Sequence, residues 1–90
     1  MMKIKKGFKL RPLGGEFILV GEGLEQINFN KMITMNETAA YLWQQVEDGS
    51  EFDAGHLADL LLKEYEVTRE QALADAENTM ISWKDAEIIE

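Results

Sequence analysis

The hydrophobic pattern of this chain changes near Asn36 from a strand period of two residues to a helical period of about 3.6. Before that point, apolar runs at residues 8–13 and 16–20 flank Gly14-Gly15, which is typical of two strands joined by a two-residue turn. After it, apolar residues recur at helical spacing. Strands followed by helices predict an α+β fold, and 90 residues are expected to form one domain over residues 1–90.

The strand region predicts an antiparallel sheet of three to four short strands. Pro12 lacks an amide donor, so the first strand is expected to lie at a sheet edge or to end there. Gly21-Glu22-Gly23 begins a loop, after which Ile27 and Phe29 alternate with polar residues and predict another strand. Residues 32–35 predict a further one, with Asn30-Lys31 as the turn between the two.

Three helices are predicted from their caps and apolar stripes. Asn36, Asp53 and Thr68 are suitable N-caps, and Gln71 would complete a capping box by returning its side chain to the Thr68 amide. The first helix is expected over about residues 37–48, before Gly49, and the third over about 16 residues. The residues expected to face the core are Ala39, Leu42, Trp43 and Val46, then Leu57, Leu60, Leu61 and Tyr65, then Leu73, Ala76, Met80 and Trp83, and finally Ile88 and Ile89.

Charge is distributed unevenly along the chain. Residues 3–11 carry five of the nine basic residues, whereas all 17 acidic residues lie at or after Glu16. The acidic body would repel phosphate backbones, which argues against a nucleic-acid partner. The basic start is expected to be a solvated strand and tail. The longest apolar run, residues 17–20, is far below the roughly 20 residues of a membrane helix, so a soluble cytoplasmic protein without a membrane partner is expected.

Few residues suit catalysis or metal binding. There is no cysteine, and His56 is the single histidine, which favours a solvated residue near a helix start over a ligand or general base. The acidic cluster at residues 47–53 lacks the glycine and the final glutamate that an EF-hand loop needs. We therefore expect no catalytic residue, no metal and no cofactor.

Several segments, taken in order, resemble the PqqD family. They are LRPLGGE at residues 10–16, FNKMITMNETAAYLW at 29–43, the turn at 48–49, the helix at 57–65 and VTRE at 67–70. The resemblance covers about residues 7–89. The chain differs from the family pattern at Lys31, at Ala39 and at Asp85-Ala86, where relatives often have glycine.

The resemblance implies a winged-helix-like domain that acts as a recognition element for ribosomally made precursor peptides. In such domains the leader of the precursor adds as a strand to the sheet edge and lies against the last helix, and the domain presents it, in a chaperone-like manner, to a modifying enzyme. That enzyme is often a radical SAM protein, as in coenzyme PQQ synthesis. The residues expected to bind peptide are Met32, Ile33 and Thr34 on the accepting strand and Ala72, Asp75, Ala76, Thr79 and Trp83 on the third helix.

Two other interpretations use the same elements. The second and third helices would suit a helix-turn-helix on DNA, although the third carries only Arg69 and Lys84 as cations against several carboxylates. Alternatively, the domain would serve as a structural or assembly module that forms a homodimer through its sheet edge.

Overall fold

Three strands are followed by three helices in the computed structural model, which describes residues 1–21 and 33–90. The strands are β1 (Phe8–Leu13), β2 (Glu16–Gly21) and β3 (Ile33–Met35). The helices are α1 (Glu37–Val46), α2 (Ala54–Glu64) and α3 (Arg69–Asp85). This order confirms the predicted α+β class. The strand predicted around Ile27 and Phe29, the Asn30-Lys31 turn and Met32 lie outside the described residues.

The sheet is antiparallel with the order β1-β2-β3. Gly14 and Gly15 have φ angles of 57° and 88°, so the turn between β1 and β2 is of the type I′ kind that two-residue hairpins favour. The register pairs Leu13 with Glu16 directly across this turn. Pro12 lies in β1, which is an edge strand among the three described strands, as the missing amide donor predicted.

One face of the sheet is directed towards the helices. Leu19 is fully buried there and Met35 is 2 % exposed, and the register places Ile33 and Phe17 on the same face as these two residues. The core joins this face to α1, α2, α3 and both chain ends. Its buried members are Ile4, Leu19, Met35, Ala40, Leu42, Trp43, Val46, Phe52, Leu57, Ala58, Leu61, Ala72, Ala76, Trp83, Ile88 and Ile89.

Each helix begins at the predicted N-cap. The cap bonds run from Ala39 N to Asn36 Oδ1 (2.8 Å), from His56 N to Asp53 Oδ1 (2.8 Å) and from Gln71 N to Thr68 Oγ1 (3.1 Å). The first helix ends at Val46, two residues earlier than predicted. Gly49 has a φ of 91°, and its amide donates to the carbonyl of Val46 (3.1 Å), so the glycine turns the chain after the helix.

The buried stripe of α3 differs from the predicted one. Ala72 and Ala76 are fully buried and Trp83 is 3 % exposed, whereas Leu73 is 36 % exposed, so its assignment to the main apolar face was wrong. The reason is the long contact between α2 and α3. Small side chains allow helices to approach closely, and Ala72 and Ala76, both buried in the core, suit such a contact.

The two chain ends are paired with the body of the domain. Met2 forms a bridge with Phe52, and Ile4, which is 9 % exposed, forms one with Ile89. The backbone bonds include Lys3 N to Glu90 O (2.8 Å) and Lys5 N to Ile88 O (2.9 Å). The prediction that Ile88 and Ile89 close the core is confirmed. The prediction of a solvated basic tail was wrong for the backbone, although the Lys3 and Lys6 side chains are exposed.

Aromatic rings connect α3 to the rest of the core. Trp83 packs edge to face against Trp43 (centroids 5.3 Å apart) and against Phe52 (5.9 Å). Phe8 of β1 contacts Trp43 in the same way at 6.4 Å. Such edge-to-face pairs are favourable beyond the apolar area that they bury. They fix the position of α3 relative to the sheet.

Candidate functional site

A groove of about 400 Å³ lies between β3 and α3. We call this space the edge groove. The lining residues are Ile33, Thr34 and Met35 of β3, Asn36, Thr38 and Ala39 at the start of α1, and Asp75, Asn78, Thr79, Ser82 and Trp83 of α3. Four of the five α3 residues are polar, whereas Ile33, Met35 and Ala39 on the strand side are apolar.

The spacing of the α3 residues explains why they form one wall. Asp75, Asn78, Thr79 and Ser82 are three, four and seven positions apart, so they lie on one face of the helix. Trp83 borders this face and is almost completely buried.

Five of the eight predicted peptide-binding residues line the edge groove. They are Ile33, Thr34, Asp75, Thr79 and Trp83. Met32 lies outside the described residues.

Ala72 and Ala76 are fully buried in the core and are absent from the groove lining. They pack in the core beneath α3 and so help to position the helix that forms the groove wall. Asn78 and Ser82 also line the groove but were not predicted. Each lies three positions after a predicted wall residue, Asp75 or Thr79, and this helical spacing is the sequence signal that identifies them.

The outer edge of β3 carries the main-chain groups of interest. Within residues 1–21 and 33–90, β3 pairs with β2 on one side, and no segment pairs with it on the other. The edge groove lies beside that second edge. A free strand edge is a template for another extended chain.

The register identifies the residue whose backbone points to this edge. A type I′ turn makes its flanking residues, Leu13 and Glu16, a hydrogen-bonded pair, and bonding direction alternates along each strand from there. The backbone groups of Phe17 and Leu19 therefore point to β3, where they pair with Met35 and Ile33.

The backbone of Thr34, between these two paired residues, must then point the other way. Its N–H and C=O face the free edge, as a donor and an acceptor for an added strand. Its side chain is exposed and shares a face with Ile18, opposite to the face that carries Ile33 and Met35.

Asp75 is the charged group of the described groove lining. It is half-buried, and its Oδ1 accepts a hydrogen bond from Nε2 of Gln71 (3.0 Å). Thr79 donates its hydroxyl to the backbone carbonyl of Asp75 (2.8 Å). The predicted return of the Gln71 side chain to the Thr68 amide was wrong, because that side chain orients the Asp75 carboxylate instead.

The other candidate groups are dispersed. His56 is exposed at the start of α2. Hydrogen bonds from the hydroxyl and the amide of Ser50 lower the pKa of Asp48.

In the described part of the chain, no three histidine or acidic residues are grouped to hold a metal ion. None of the three helices described there has the length and apolar character that crossing a membrane requires.

The fold is similar to two solved structures. One is "TbiB1 in complex with the TbiA(beta) leader peptide", with a TM-score of 0.74 and 17 % identity over 98 % of this chain and 94 % of that chain. The other is "Lasso peptide synthetase B1 complexed with the leader peptide", with a TM-score of 0.72 and 21 % identity over 99 % and 96 %. At these identities the likeness shows a shared fold.

A search of curated proteins found no significant match. A family model described as coenzyme PQQ synthesis protein D (PqqD) matches residues 6–89. The matched range includes β1 to β3, α1 to α3 and both walls of the edge groove. The chain therefore belongs to the PqqD family.

Proposed function

We propose that this protein binds the leader of a ribosomally made precursor peptide by strand addition and presents it to a modifying enzyme. The observation that carries the proposal is the second edge of β3, which no described segment covers and which borders the edge groove. The leader would pair with β3 through its backbone and place alternate side chains against α3. A radical SAM protein is the proposed kind of modifying enzyme, and the proposed location is the cytoplasm, where ribosomes make the precursor.

In this mode of binding, backbone and side chains make different contributions. Main-chain bonds to Thr34 supply affinity for an extended peptide without dictating its sequence. The side chains of the edge groove then discriminate between leaders. An uncovered edge is also an aggregation hazard, which a bound peptide removes.

The comparisons support the same function. Both structural relatives are described as bound to a leader peptide, and the family is described by its role in coenzyme PQQ synthesis. The structural likeness covers 94 % and 96 % of those two chains.

A binding role, and not catalysis by the domain itself, suits the composition of the groove. Among its described lining residues, Asp75 is the one ionisable side chain, beside amides, hydroxyls and apolar groups. A hydroxyl nucleophile needs an adjacent general base, and the Thr79 hydroxyl donates to the backbone carbonyl of Asp75 instead of to its carboxylate. The modifying enzyme would supply the chemistry.

DNA binding is not favoured by the charges of α3. Of its two cations, Arg69 already forms an ion pair with Asp59 of α2 (3.1 Å). Glu70, Asp75 and Glu77 lie on the same helix and would be repelled by phosphates. A gel shift at low salt with duplex DNA is expected to show no tight, salt-sensitive complex.

Self-association through the free edge is the remaining alternative. A homodimer that pairs two β3 edges would fill the same groove that the leader needs. Sedimentation of the protein with and without peptide separates the two cases, because a leader-binding domain is expected to be monomeric when peptide is bound.

The proposal is tested by titrating ¹⁵N-labelled protein with peptides selected from a displayed library of random 12-residue sequences. We expect amide shifts at Ile33, Thr34 and Met35 and along the groove wall from Asp75 to Ser82. The exposed strand β1, at the other sheet edge, serves as the internal control. Selected peptides that shift β1 and leave β3 and α3 unchanged would contradict the proposal.

A further inference from the structure

We infer that the edge groove selects leaders carrying a lysine or arginine that reaches Asp75, with an apolar residue two positions from that cation. This inference rests on the proposed function, and it adds the chemical class of the leader. Three features of the groove lead to it: the direction in which an added strand points its side chains, the environment of Asp75, and the apolar surface of the strand side.

The direction of the side chains follows from the register. An added strand shares the pleat of β3, so the peptide residue opposite Thr34 points away from the helices, as Thr34 does. Its two neighbours lie opposite Ile33 and Met35 and point to the helical side. Positions that face α3 are therefore two residues apart in the peptide, whether the added strand is parallel or antiparallel.

The carboxylate of Asp75 lies on the wall that those side chains meet. Its described hydrogen bond, from Gln71, uses Oδ1 and holds the carboxylate in place. No cation belongs to the described lining of the groove, and Arg69 of the same helix is paired with Asp59. A half-buried carboxylate gains most from a partner that brings both a positive charge and a hydrogen-bond donor.

The charge of the whole protein acts in the same direction. Its formal net charge is −8, so an acidic leader is repelled and a basic one is attracted before contact. Substitutions can separate this long-range attraction from the contact at Asp75. The other carboxylates of α3 contribute to the long-range attraction but not to the contact.

The apolar position follows from the other side of the groove. Ile33 is half-buried on the face that points to the helices, and Ala39, also half-buried, belongs to the same groove lining. A leader side chain over these two residues removes apolar surface from water, whereas a charged one there loses hydration without a partner. The predicted leader segment therefore alternates, with one apolar and one cationic side chain on the same face.

The test selects peptides from the displayed 12-residue library on three proteins: wild type, Asp75→Asn and Glu77→Gln. Glu77 is exposed, lies on α3 and is absent from the groove lining, so Glu77→Gln makes the same change in net charge away from the site. Wild type and Glu77→Gln are expected to enrich lysine or arginine two positions from an apolar residue. Asp75→Asn is expected to lose the enrichment of the cation and to keep that of the apolar residue.

The affinity of one selected peptide gives the magnitude. Its Kd is expected to rise about tenfold on Asp75→Asn and less than about twofold on Glu77→Gln, as for a charge-assisted bond at a half-exposed site. Replacing the peptide's cation by glutamine is expected to cause the same loss in wild type and none in Asp75→Asn.

The possible outcomes separate this inference from the proposed function. Selected peptides that shift β3 and α3 amides but show no enriched cation overturn this inference and leave the proposed function intact. If Asp75→Asn and Glu77→Gln weaken peptide binding equally, the effect comes from net charge alone, and the inference is overturned as well. A selection that yields no binding peptide on any of the three proteins overturns both claims.

Discussion

A proline at position 34 is expected to block strand addition while leaving the domain folded. The register directs the amide of Thr34 to the free edge of β3, so its loss removes no bond between β2 and β3. Proline is tolerated on an edge strand when the missing amide faces outward. We therefore expect Thr34→Pro to change the free energy of unfolding by less than about 1 kcal/mol.

The effect on peptide binding is expected to be much larger. The variant removes the one described donor of β3 that faces the peptide, and the peptide carbonyl opposite it is left without a partner beside α3. Leaving one partner of a hydrogen bond unsatisfied costs about 1–3 kcal/mol. That range corresponds to a roughly 5- to 150-fold increase in Kd.

Two matched variants separate backbone from side-chain effects. Thr34→Ala keeps the amide and shortens only a side chain that points away from the helices, so its Kd is expected to change less than about twofold. Ile33→Pro removes an amide that faces β2, and it is expected to lower the free energy of unfolding by about 1–3 kcal/mol. Calorimetric titration with a selected peptide gives the Kd, and urea unfolding followed by tryptophan fluorescence gives the stability.

The result that would refute the reasoning is a reversed order of the two prolines. If Thr34→Pro unfolded the sheet and Ile33→Pro did not, the alternation of bonds along β3 would be assigned wrongly. If Thr34→Pro stayed folded and bound peptide as wild type does, the peptide would not use this edge.

Three further predictions concern the scaffold. Trp83→Ala is expected to lower the free energy of unfolding by about 3–5 kcal/mol in urea titrations, because a buried ring that contacts two other rings is lost. Gly15→Ala is expected to lower the free energy of unfolding by about 1 kcal/mol, since φ is 88° there. Gly55→Ala in α2 is expected to raise the free energy of unfolding by up to about 1 kcal/mol, because alanine is the better helix former. Thermal melts of both variants check this pair. Ser50→Ala is expected to raise the pKa of Asp48 towards its ordinary value in an NMR titration, since the hydroxyl bond that lowers it is lost. Because the pKa of Asp48 is lower in the folded than in the unfolded protein, the ionised carboxylate stabilises the fold at pH values above the unfolded-state pKa. This stabilisation is lost as the pH falls through the folded-state pKa. Ser50→Ala is expected to make this loss of stability in acid smaller.

Local signals in the sequence predicted the local parts of the fold. The caps Asn36, Asp53 and Thr68 and the Gly14-Gly15 turn each depend on residues within a few positions, and all were predicted correctly. The prediction that Pro12 lies on an edge strand was also correct, because one missing donor excludes a central place in a sheet.

Long-range packing was the part that the sequence did not reveal. Ala72 and Leu73 are adjacent, yet the alanine is fully buried and the leucine is 36 % exposed, which depends on how α3 packs in the whole domain. The pairing of Met2 with Phe52 joins residues far apart in sequence, and no local pattern signals it. The groove wall was predicted only in part: Asp75, Thr79 and Trp83 were assigned to it, whereas Asn78 and Ser82 were not, although their helical spacing is a local signal.

Amide hydrogen exchange at three consecutive residues tests the central claim most directly. In the free protein, the amides of Ile33 and Met35 are expected to exchange slowly because they bond to β2, and that of Thr34 is expected to exchange fast. A saturating selected peptide is expected to slow Thr34 to the rate of its neighbours. A Thr34 amide that is protected without peptide, or that stays unprotected in the complex, would contradict strand addition at β3.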